Sequence, residues 1–291
     1  MISQITFDDL IDRFVLYAEE SENIRAAFLV GSRARVEMPA DEWADLDLVV
    51  FTKNPALLLN NTNWLSHLGK PVITFLERTA VGDSTERRVL FEGGLDVDFA
   101  FFPVASLPEL EKNAEVLDVL AKGVKVVIDK DDITRSIIQK AEALPPSDRG
   151  VATMDIENLI HDFWYHAYLA AKKFRRGELL DGKSICDGYM KDCLTLMMKV
   201  QVKARKDADF QTWHGYRFFE RWTGPKVSEE FKKLYARYEL KEMWEALKNT
   251  MDFFRTISAD VCRQLNIVYP NEAAEYATEL VDTLNDNRDG T

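Results

Sequence analysis

The spacing of apolar residues changes near residue 144, and this change is the strongest constraint on the fold. Before that point, short runs rich in β-branched and aromatic residues are bounded by Gly, Pro, Asn or Asp, as strands usually are. The runs are 24–30, 46–51, 71–75, 88–92 and 97–102, with 125–128 as a candidate sixth. Because helical stretches separate these runs, they predict an α+β or α/β sheet domain.

After residue 150 the apolar residues follow the period of a helix instead. Two sets recur at helical spacing, namely Ile156, Leu159, Ile160, Phe163, Trp164 and Ala167, and Leu240, Met243, Trp244, Leu247, Met251 and Phe254. Segment 145–150 (Pro-Pro-Ser-Asp-Arg-Gly) is typical of a linker. The sequence therefore predicts two domains, 1–144 with the sheet and 151–291 as a bundle of helices.

Acidic side chains outnumber basic ones, which excludes one class of partner. The chain of 291 residues has 37 Lys and Arg against 49 Asp and Glu, a net charge of −12. Residues 1–150 hold 26 of the acidic and 16 of the basic side chains, a net charge of −10. Nucleic-acid binders normally carry a basic excess. We therefore expect no nucleic-acid partner, and a ligand that is a small cation or an anion accompanied by metal ions.

The compartment is predicted from the cysteines and from the absence of targeting signals. The first residues have neither a basic start nor an apolar core, and no run approaches the ~18 apolar residues that span a bilayer. Cys186, Cys193 and Cys262 form neither an even framework nor a C-x-x-C pair. We expect three free buried thiols, a cytoplasmic protein, no membrane association and no obligate protein partner.

Three aspartates carry the functional prediction. Asp45 and Asp47 are spaced at i and i+2, so on a strand their side chains leave the same face, where two carboxylates repel each other. Asp98 interrupts a later apolar strand, with Asp96 on the same face as the alternative. A hard cation such as Mg²⁺ removes the repulsion. Each residue alone is typical of a turn or a solvated strand, but adjacent strands would assemble the set into a site for two metal ions.

Gly31 and Ser32 follow the first predicted strand and begin a short helix. Glycine permits close approach of the backbone, and free amides with a hydroxyl at a helix start suit a phosphate group. A Gly-Ser pair alone is typical of an ordinary turn. The order strand, Gly-Ser, Asp-x-Asp and later strand with Asp favours a nucleotide site over that simpler interpretation.

Motifs along most of the chain carry a resemblance to a known family. They are Gly31-Ser32-Arg33, Pro39, Asp45-x-Asp47, Leu90-Phe91-Glu92-x-Gly94, Val97-Asp98, Pro103, Asp162-Phe163-Trp164-Tyr165, Ala171-Lys172, Met197-Met198, Tyr216-x-Phe218-x-Glu220-Arg221, Met243-Trp244-Glu245-Ala246-Leu247 and Tyr269-Pro270. The ordered set resembles nucleotidyltransferases of the polymerase-β type. From about residue 20 to about residue 270 the chain is similar to the aminoglycoside 6-adenylyltransferases, also called streptomycin adenylyltransferases. One departure is Trp213-His214, where members of that family often have Gly-Lys.

The resemblance implies an α+β fold, in which a mixed-sheet nucleotidyltransferase domain precedes a helical domain that binds substrate and nucleotide. It implies an antibiotic-resistance enzyme that transfers AMP from ATP to a hydroxyl of an aminoglycoside, streptomycin first, and releases pyrophosphate. ATP is the expected co-substrate and two Mg²⁺ ions the expected cofactors. The alternatives are another small hydroxyl acceptor, such as a lincosamide or a metabolite, and a non-catalytic nucleotide-binding module.

Roles for individual residues follow from the same resemblance. Asp45 and Asp47 are expected to bridge both metal ions, and Asp98, rather than Asp96, to hold one of them and accept the proton of the acceptor hydroxyl. The predicted nucleotide-binding set is Gly31, Ser32, Arg33 and Lys172, and the predicted acceptor-binding set is Glu92, Asp162 and Trp164. Three members have ordinary alternatives: a surface arginine for Arg33, a cation in the last turn of a helix for Lys172, and a core residue for Trp164.

Overall fold

A computed structural model of the chain describes residues 5–144, 155–206, 210–213 and 215–286. The chain divides into two units, 1–146 and 147–291, which are described separately below. The predicted linker 145–150 lies outside the described residues.

The first unit alternates helices with strands. Its helices are α1 (Phe7–Glu20), α2 (Ala56–Leu59), α3 (Leu65–Leu68), α4 (Leu107–Leu110), α5 (Ala114–Ala121) and α6 (Arg135–Glu142). Its strands are β1 (Ile24–Val30), β2 (Leu46–Thr52), β3 (Pro71–Arg78), β4 (Thr85–Phe91), β5 (Leu95–Pro103) and β6 (Lys125–Asp129). All six predicted strands are present, and five of them differ from the predicted bounds by one to three residues at an end.

The strands form one sheet in the order β3-β4-β5-β2-β1-β6. β2 and β5 are parallel, whereas the other neighbouring strands are antiparallel, so the sheet is mixed and the predicted α+β class is confirmed. In the parallel pair Asp47 lies beside Asp98, and in the β1–β2 pair Val30 lies beside Asp47. This register brings two of the predicted site residues together.

Each face of the sheet has its own apolar cluster, because side chains alternate between the two faces along each strand. One face packs its apolar residues against α1 and α3, and its core includes Leu10, Phe14, Leu48, Val50, Trp64, Phe99 and Phe101. The opposite face packs against α4, α5 and α6 through residues that include Phe28, Phe51, Phe102, Leu107 and Ile137. Asp47 and Asp98 belong to this second face. Both residues lie near the N-terminal ends of their strands, β2 and β5, and the apolar residues of this face follow them along each strand.

The second unit is helical, as predicted. Its helices are α7 (Ile156–Arg175), α8 (Leu179–Ser184), α9 (Met190–Arg205), α10 (Phe219–Thr223), α11 (Pro225–Phe231), α12 (Leu240–Leu265) and α13 (Asn271–Asp286), and a π-helical turn (Ile185–Tyr189) joins α8 to α9. The two apolar stripes recognised in the sequence lie on α7 and α12 and, except for the exposed Leu240, are buried in one core. Cys186, Cys193 and Cys262 are free and buried, which confirms the expected thiols. Within the described residues, no helix combines the length and apolar character that a membrane crossing requires.

Candidate active site

Three carboxylates meet on the second face of the sheet. Asp45, Asp47 and Asp98 each offer an oxygen, and these oxygens lie within 4.8 Å of one another. All three side chains are partly buried, whereas Asp96, two residues earlier on β5, is exposed. The structure therefore groups Asp98, and not Asp96, with the Asp-x-Asp pair.

Asp45 directly precedes β2, which begins at Leu46 as predicted, so only Asp47 of the pair lies within the strand. The backbone at Asp45 is held by Arg33, whose Nε donates to the carbonyl oxygen of Asp45 at 3.0 Å and whose Nη2 donates to that of Ala44 at 2.7 Å. β1 already ends at Val30, so no strand pairs with Asp45. The guanidinium also lies over the ring of Phe7, with 3.7 Å between its central carbon and the ring centroid. Its contacts are with the backbone that carries Asp45.

Gly31 lies directly against the carboxylate of Asp47. Its φ is +68°, and a Cβ atom at this position would lie 2.0 Å from Asp47 Oδ2. Such a contact is far below van der Waals distance, and the left-handed φ is also unfavourable for other residues. Glycine is thus required here for close approach as well as for conformation.

Ser32 is buried beside this glycine in a short 3₁₀ turn (Gly31–Arg33), as the sequence predicts for the start of a helix. Its side-chain oxygen has no hydrogen-bond partner among the described residues. Buried hydroxyls are usually paired, so an orphaned one is suited to a ligand. The turn itself is braced by Lys125, whose Nζ donates to the carbonyl oxygen of Arg33 at 2.7 Å.

The carboxyl group of Asp98 has a raised pKa. Burial raises the pKa of Asp98 to about 6, Arg88 opposes this change, and the neighbouring Asp47 and Asp45 reinforce it. The opposing contact is direct, since Arg88 Nη2 lies 2.9 Å from Asp98 Oδ2. A carboxyl that titrates near neutral pH is suited to proton transfer.

The donors present fit a divalent cation and a phosphate group. Three carboxylates are hard oxygen ligands of the kind that Mg²⁺ binds together with substrate phosphates. The orphaned Ser32 hydroxyl and the close approach at Gly31 lie on the same turn, adjacent to Asp47. Two parts of the site are therefore suited to the two components of a metal–triphosphate complex.

The site residues predicted in the second unit lie on α7. Lys172, in its last turn, is partly buried, and its Nζ lies 5.5 Å from the centroid of the Tyr168 ring. Asp162 accepts a hydrogen bond from the Tyr189 hydroxyl at 2.7 Å and lies 2.8 Å from His166 Nδ1. The hydrogen bond to Asp162 raises the pKa of Tyr189 to about 12.

Trp164 and Glu92 have contrasting surroundings. Trp164 is 2% exposed and its Nε1 donates to the Tyr269 hydroxyl at 3.0 Å, so its ring is part of the helical core. Glu92 follows β4, is exposed, and pairs with Lys70 at 2.8 Å. The acceptor-binding roles of Glu92, Asp162 and Trp164 stay predictions.

Arg88, Tyr189 and His166 were not among the predicted site residues. Arg88 could have been found from the Gly93-Gly94 turn, because Arg88 and Asp98 stand equally far from Gly93 on the two strands of a hairpin and therefore face each other. His166 could have been found from its i, i+4 spacing to Asp162 on the predicted helix. Tyr189 gave no comparable signal, since the turn that brings it to Asp162 is π-helical.

The segment that departs from the family's Gly-Lys pattern is described only at Trp213, because His214 lies outside the described residues. Trp213 has a φ of +57°, which an amino acid with a side chain seldom adopts. Its carbonyl oxygen accepts a hydrogen bond from Lys199 Nζ at 2.6 Å. The buried lysine thus holds the backbone of this segment to α9.

Comparison with known proteins yields one consistent set of relatives. The sequence profile of the streptomycin adenylyltransferase family matches residues 6–284. Aminoglycoside 6-adenylyltransferase of Bacillus subtilis (strain 168) is 25% identical over 274 residues, 90% of this chain and 92% of the relative. The enzyme of the same name from Campylobacter jejuni is 22% identical over 271 residues, 90% of each chain.

Among solved structures, an aminoglycoside 6-adenyltransferase from Bacillus subtilis aligns with 98% of this chain and 99% of its own, at 21% identity and a TM-score of 0.44. A nucleotidyltransferase-like protein from Exiguobacterium sibiricum aligns with 89% of this chain and 78% of its own, at 13% identity and a TM-score of 0.37. Because the family profile spans nearly the whole sequence, the chain belongs to the streptomycin adenylyltransferase family and is a nucleotidyltransferase.

Proposed function

We propose that this enzyme transfers AMP from ATP to a hydroxyl group of an aminoglycoside and releases pyrophosphate, with streptomycin as the expected acceptor. The observation that carries the proposal is the grouping of Asp45, Asp47 and Asp98 within 4.8 Å beside the Gly31–Ser32 turn. The names of the curated relatives, aminoglycoside 6-adenylyltransferases, support the acceptor class.

The three aspartates would hold two Mg²⁺ ions, Asp45 and Asp47 contributing to both and Asp98 to one. Bound divalent ions stabilise the charge that develops in phosphoryl transfer and lower the pKa of the attacking hydroxyl. Asp98 is assigned the proton of that hydroxyl, because its carboxylate belongs to the group that would hold the metal ions and is therefore near the attacking oxygen.

The triphosphate is assigned to the turn that follows β1. Ser32 Oγ, buried and without a hydrogen-bond partner among the described residues, is free to donate to a phosphate oxygen. The glycine at position 31 lets the turn approach Asp47 closely, so that phosphate and carboxylates share one small region. Arg33 is assigned to the backbone of Ala44 and Asp45, and Lys172 to the triphosphate as the contribution of α7.

The acceptor is a polycation, so its site requires carboxylates. Asp162 and Glu92 are proposed to supply them, and Trp164 to support α7 from the core beneath Asp162. The net charge of −10 on residues 1–150 favours the approach of a cation through long-range attraction.

The test is pyrophosphate release from ATP and Mg²⁺ in the presence of a panel of aminoglycosides, with Asp47→Asn as the inactive control. Streptomycin-dependent release by the natural enzyme, absent in the variant, is the expected result. Release with another aminoglycoside but not with streptomycin would overturn the acceptor while leaving AMP transfer intact. If none of the aminoglycosides in the panel supports pyrophosphate release, the proposed acceptor class is overturned.

A further inference from the structure

A row of charged side chains crosses three strands on the second face of the sheet. Asp47 of β2 lies beside Asp98 of β5, and Asp98 lies opposite Arg88 of β4. Arg88 and Asp47 therefore flank Asp98 from its two sides. The contact with Arg88 is an ion pair, 2.9 Å from Nη2 to Oδ2 of Asp98.

A second nitrogen of the Arg88 guanidinium, Nε, is held by two glutamates. This atom lies 3.2 Å from Glu86 Oε1 and also pairs with Glu77 of β3. Glu77 and Glu86 lie directly opposite each other on β3 and β4, where two like charges repel. The guanidinium between them relieves that repulsion, and the two glutamates fix its direction toward Asp98.

The surrounding charges also fix the ionisation of Arg88. Burial lowers the pKa of Arg88, but the carboxylates of Asp98, Glu86 and Glu77 outweigh that effect and raise it. Arg88 is consequently a permanent cation with one carboxylate at Nη2 and two at Nε. Its side chain is 45% exposed, and these three carboxylates are its charged partners.

We propose that Arg88 is a positioning residue for metal binding: it engages one oxygen of Asp98, fixes the plane of that carboxylate, and leaves the second oxygen to serve as a ligand. The inference rests on the proposed nucleotidyl transfer at the triad of Asp45, Asp47 and Asp98. Arg88 acts through Asp98 and touches neither ATP nor the acceptor. Without it, the Asp98 carboxylate turns about its last side-chain bond and must be reoriented each time an ion binds.

The experiment measures Mn²⁺ binding to the full chain by electron paramagnetic resonance of the free ion, in saturating α,β-methylene-ATP, which cannot transfer AMP. Arg88→Met is expected to weaken Mn²⁺ binding about 10- to 100-fold, the range found when partners of metal ligands are removed. Arg88→Lys should recover part of the loss, because one donor can still reach Asp98. Arg78→Met is the matched control: it removes an arginine that pairs with Asp83 at the end of β3, and it should bind Mn²⁺ normally.

Kinetics provide a second readout that a purely structural role would not change. Arg88→Met should lower kcat for pyrophosphate release and leave the KM for ATP nearly unchanged, because the turn at Gly31 and Ser32 is untouched. Mn²⁺ binding equal to or tighter than that of the natural enzyme would overturn the proposal. If Arg88→Met unfolds, Glu77→Gln decides: it keeps Arg88 but loosens its Nε contact, so it should weaken Mn²⁺ binding less than Arg88→Lys, and unchanged binding would overturn the proposal.

The two proposals fail in different ways. A natural enzyme that binds Mn²⁺ with the ATP analogue but modifies no aminoglycoside overturns the proposed acceptor and still tests Arg88 through its variants. A natural enzyme that binds no Mn²⁺ overturns both proposals.

Discussion

The sheet unit and the helical unit differ in whether their predicted site residues lie close together. In the sheet unit, Asp45, Asp47 and Asp98 come from two separate segments and meet within 4.8 Å. In the helical unit, Trp164 is buried in the core and Lys172 lies two turns further along the same helix. The sheet unit brings its three predicted aspartates to one point, whereas α7 distributes its predicted residues between core and surface.

The difference teaches how far each kind of pattern constrains position. Strand register places neighbours within hydrogen-bonding distance, so two acidic positions on adjacent strands must meet if they share a face. Helical spacing only assigns a residue to one face of its helix. An apolar face is as typical of a buried core as of a ligand-binding surface. We therefore expect substitutions of the site residues in the sheet unit to change activity, and substitution of Trp164 on α7 to change stability.

Asp47→Asn should cause the largest loss. Removing one of the bridging carboxylates should lower kcat/KM for pyrophosphate release by at least about 10³-fold, because several kcal/mol of transition-state stabilisation depend on the metal site. The fold should remain, since the amide has nearly the same shape, and circular dichroism checks this. Activity near that of the natural enzyme would break the assignment of the site to the sheet unit.

Trp164→Ala should act on stability instead. Loss of a buried indole should lower the free energy of unfolding by about 3–5 kcal/mol, measured by urea denaturation. Trp164→Phe is the matched variant, because it keeps an aromatic ring in the core while losing the second ring of the indole and the hydrogen bond to Tyr269. An unchanged stability with a raised KM for the acceptor would contradict the core placement and make α7 resemble the sheet unit.

The sequence allowed the prediction of every strand and of the meeting of Asp47 with Asp98, because alternation and order along the chain determine both. It did not allow the prediction of the contacts that hold Asp45. Arg33 binds the carbonyl oxygens of Ala44 and Asp45, and such a contact between a side chain and a distant backbone leaves no periodic signal. Arg88 was missed because its contact with Asp98 can be recognised only once the pairing of β4 with β5 is known.

Gly31→Ala should lower activity by displacing the Asp47 carboxylate or the turn beside it, although every functional group of the site is still present. The new Cβ cannot lie 2.0 Å from Asp47 Oδ2, so the carboxylate or the turn must shift. A shift of about 1 Å at a reacting centre can cost about 10²-fold in rate, and we expect that loss in kcat/KM.

Gly94→Ala is the control for the glycine variant. Gly94 also has a positive φ, +82°, but a Cβ there would meet nothing within 4 Å. It therefore carries the backbone strain without the clash. Equal losses of activity in both variants would show that strain in the sheet unit, and not the position of Asp47, controls the rate.

The smallest expected effect concerns the stability of the protein in EDTA. A carboxyl whose pKa is raised to about 6 by burial binds its proton more tightly folded than unfolded, so Asp98 makes stability fall as pH rises from about 4 to about 6. Asp98→Asn removes this term. Because the carboxyl is partly solvated and paired with Arg88, we expect only about 1 kcal/mol of stabilisation at pH 7.5, or about 2–4 °C in Tm.

The advantage of Asp98→Asn should disappear below about pH 4, where the carboxyl is protonated in both the folded and the unfolded chain. Asp96→Asn removes an exposed carboxylate from the same face of β5 and controls for the loss of one negative charge. If Asp98→Asn and Asp96→Asn gain equal stability, the gain reflects the reduced net negative charge of the acidic sheet unit. If only Asp98→Asn gains, the carboxylate that the site requires is one that the fold would be more stable without, which distinguishes it from the Trp164 side chain that holds the helical core together.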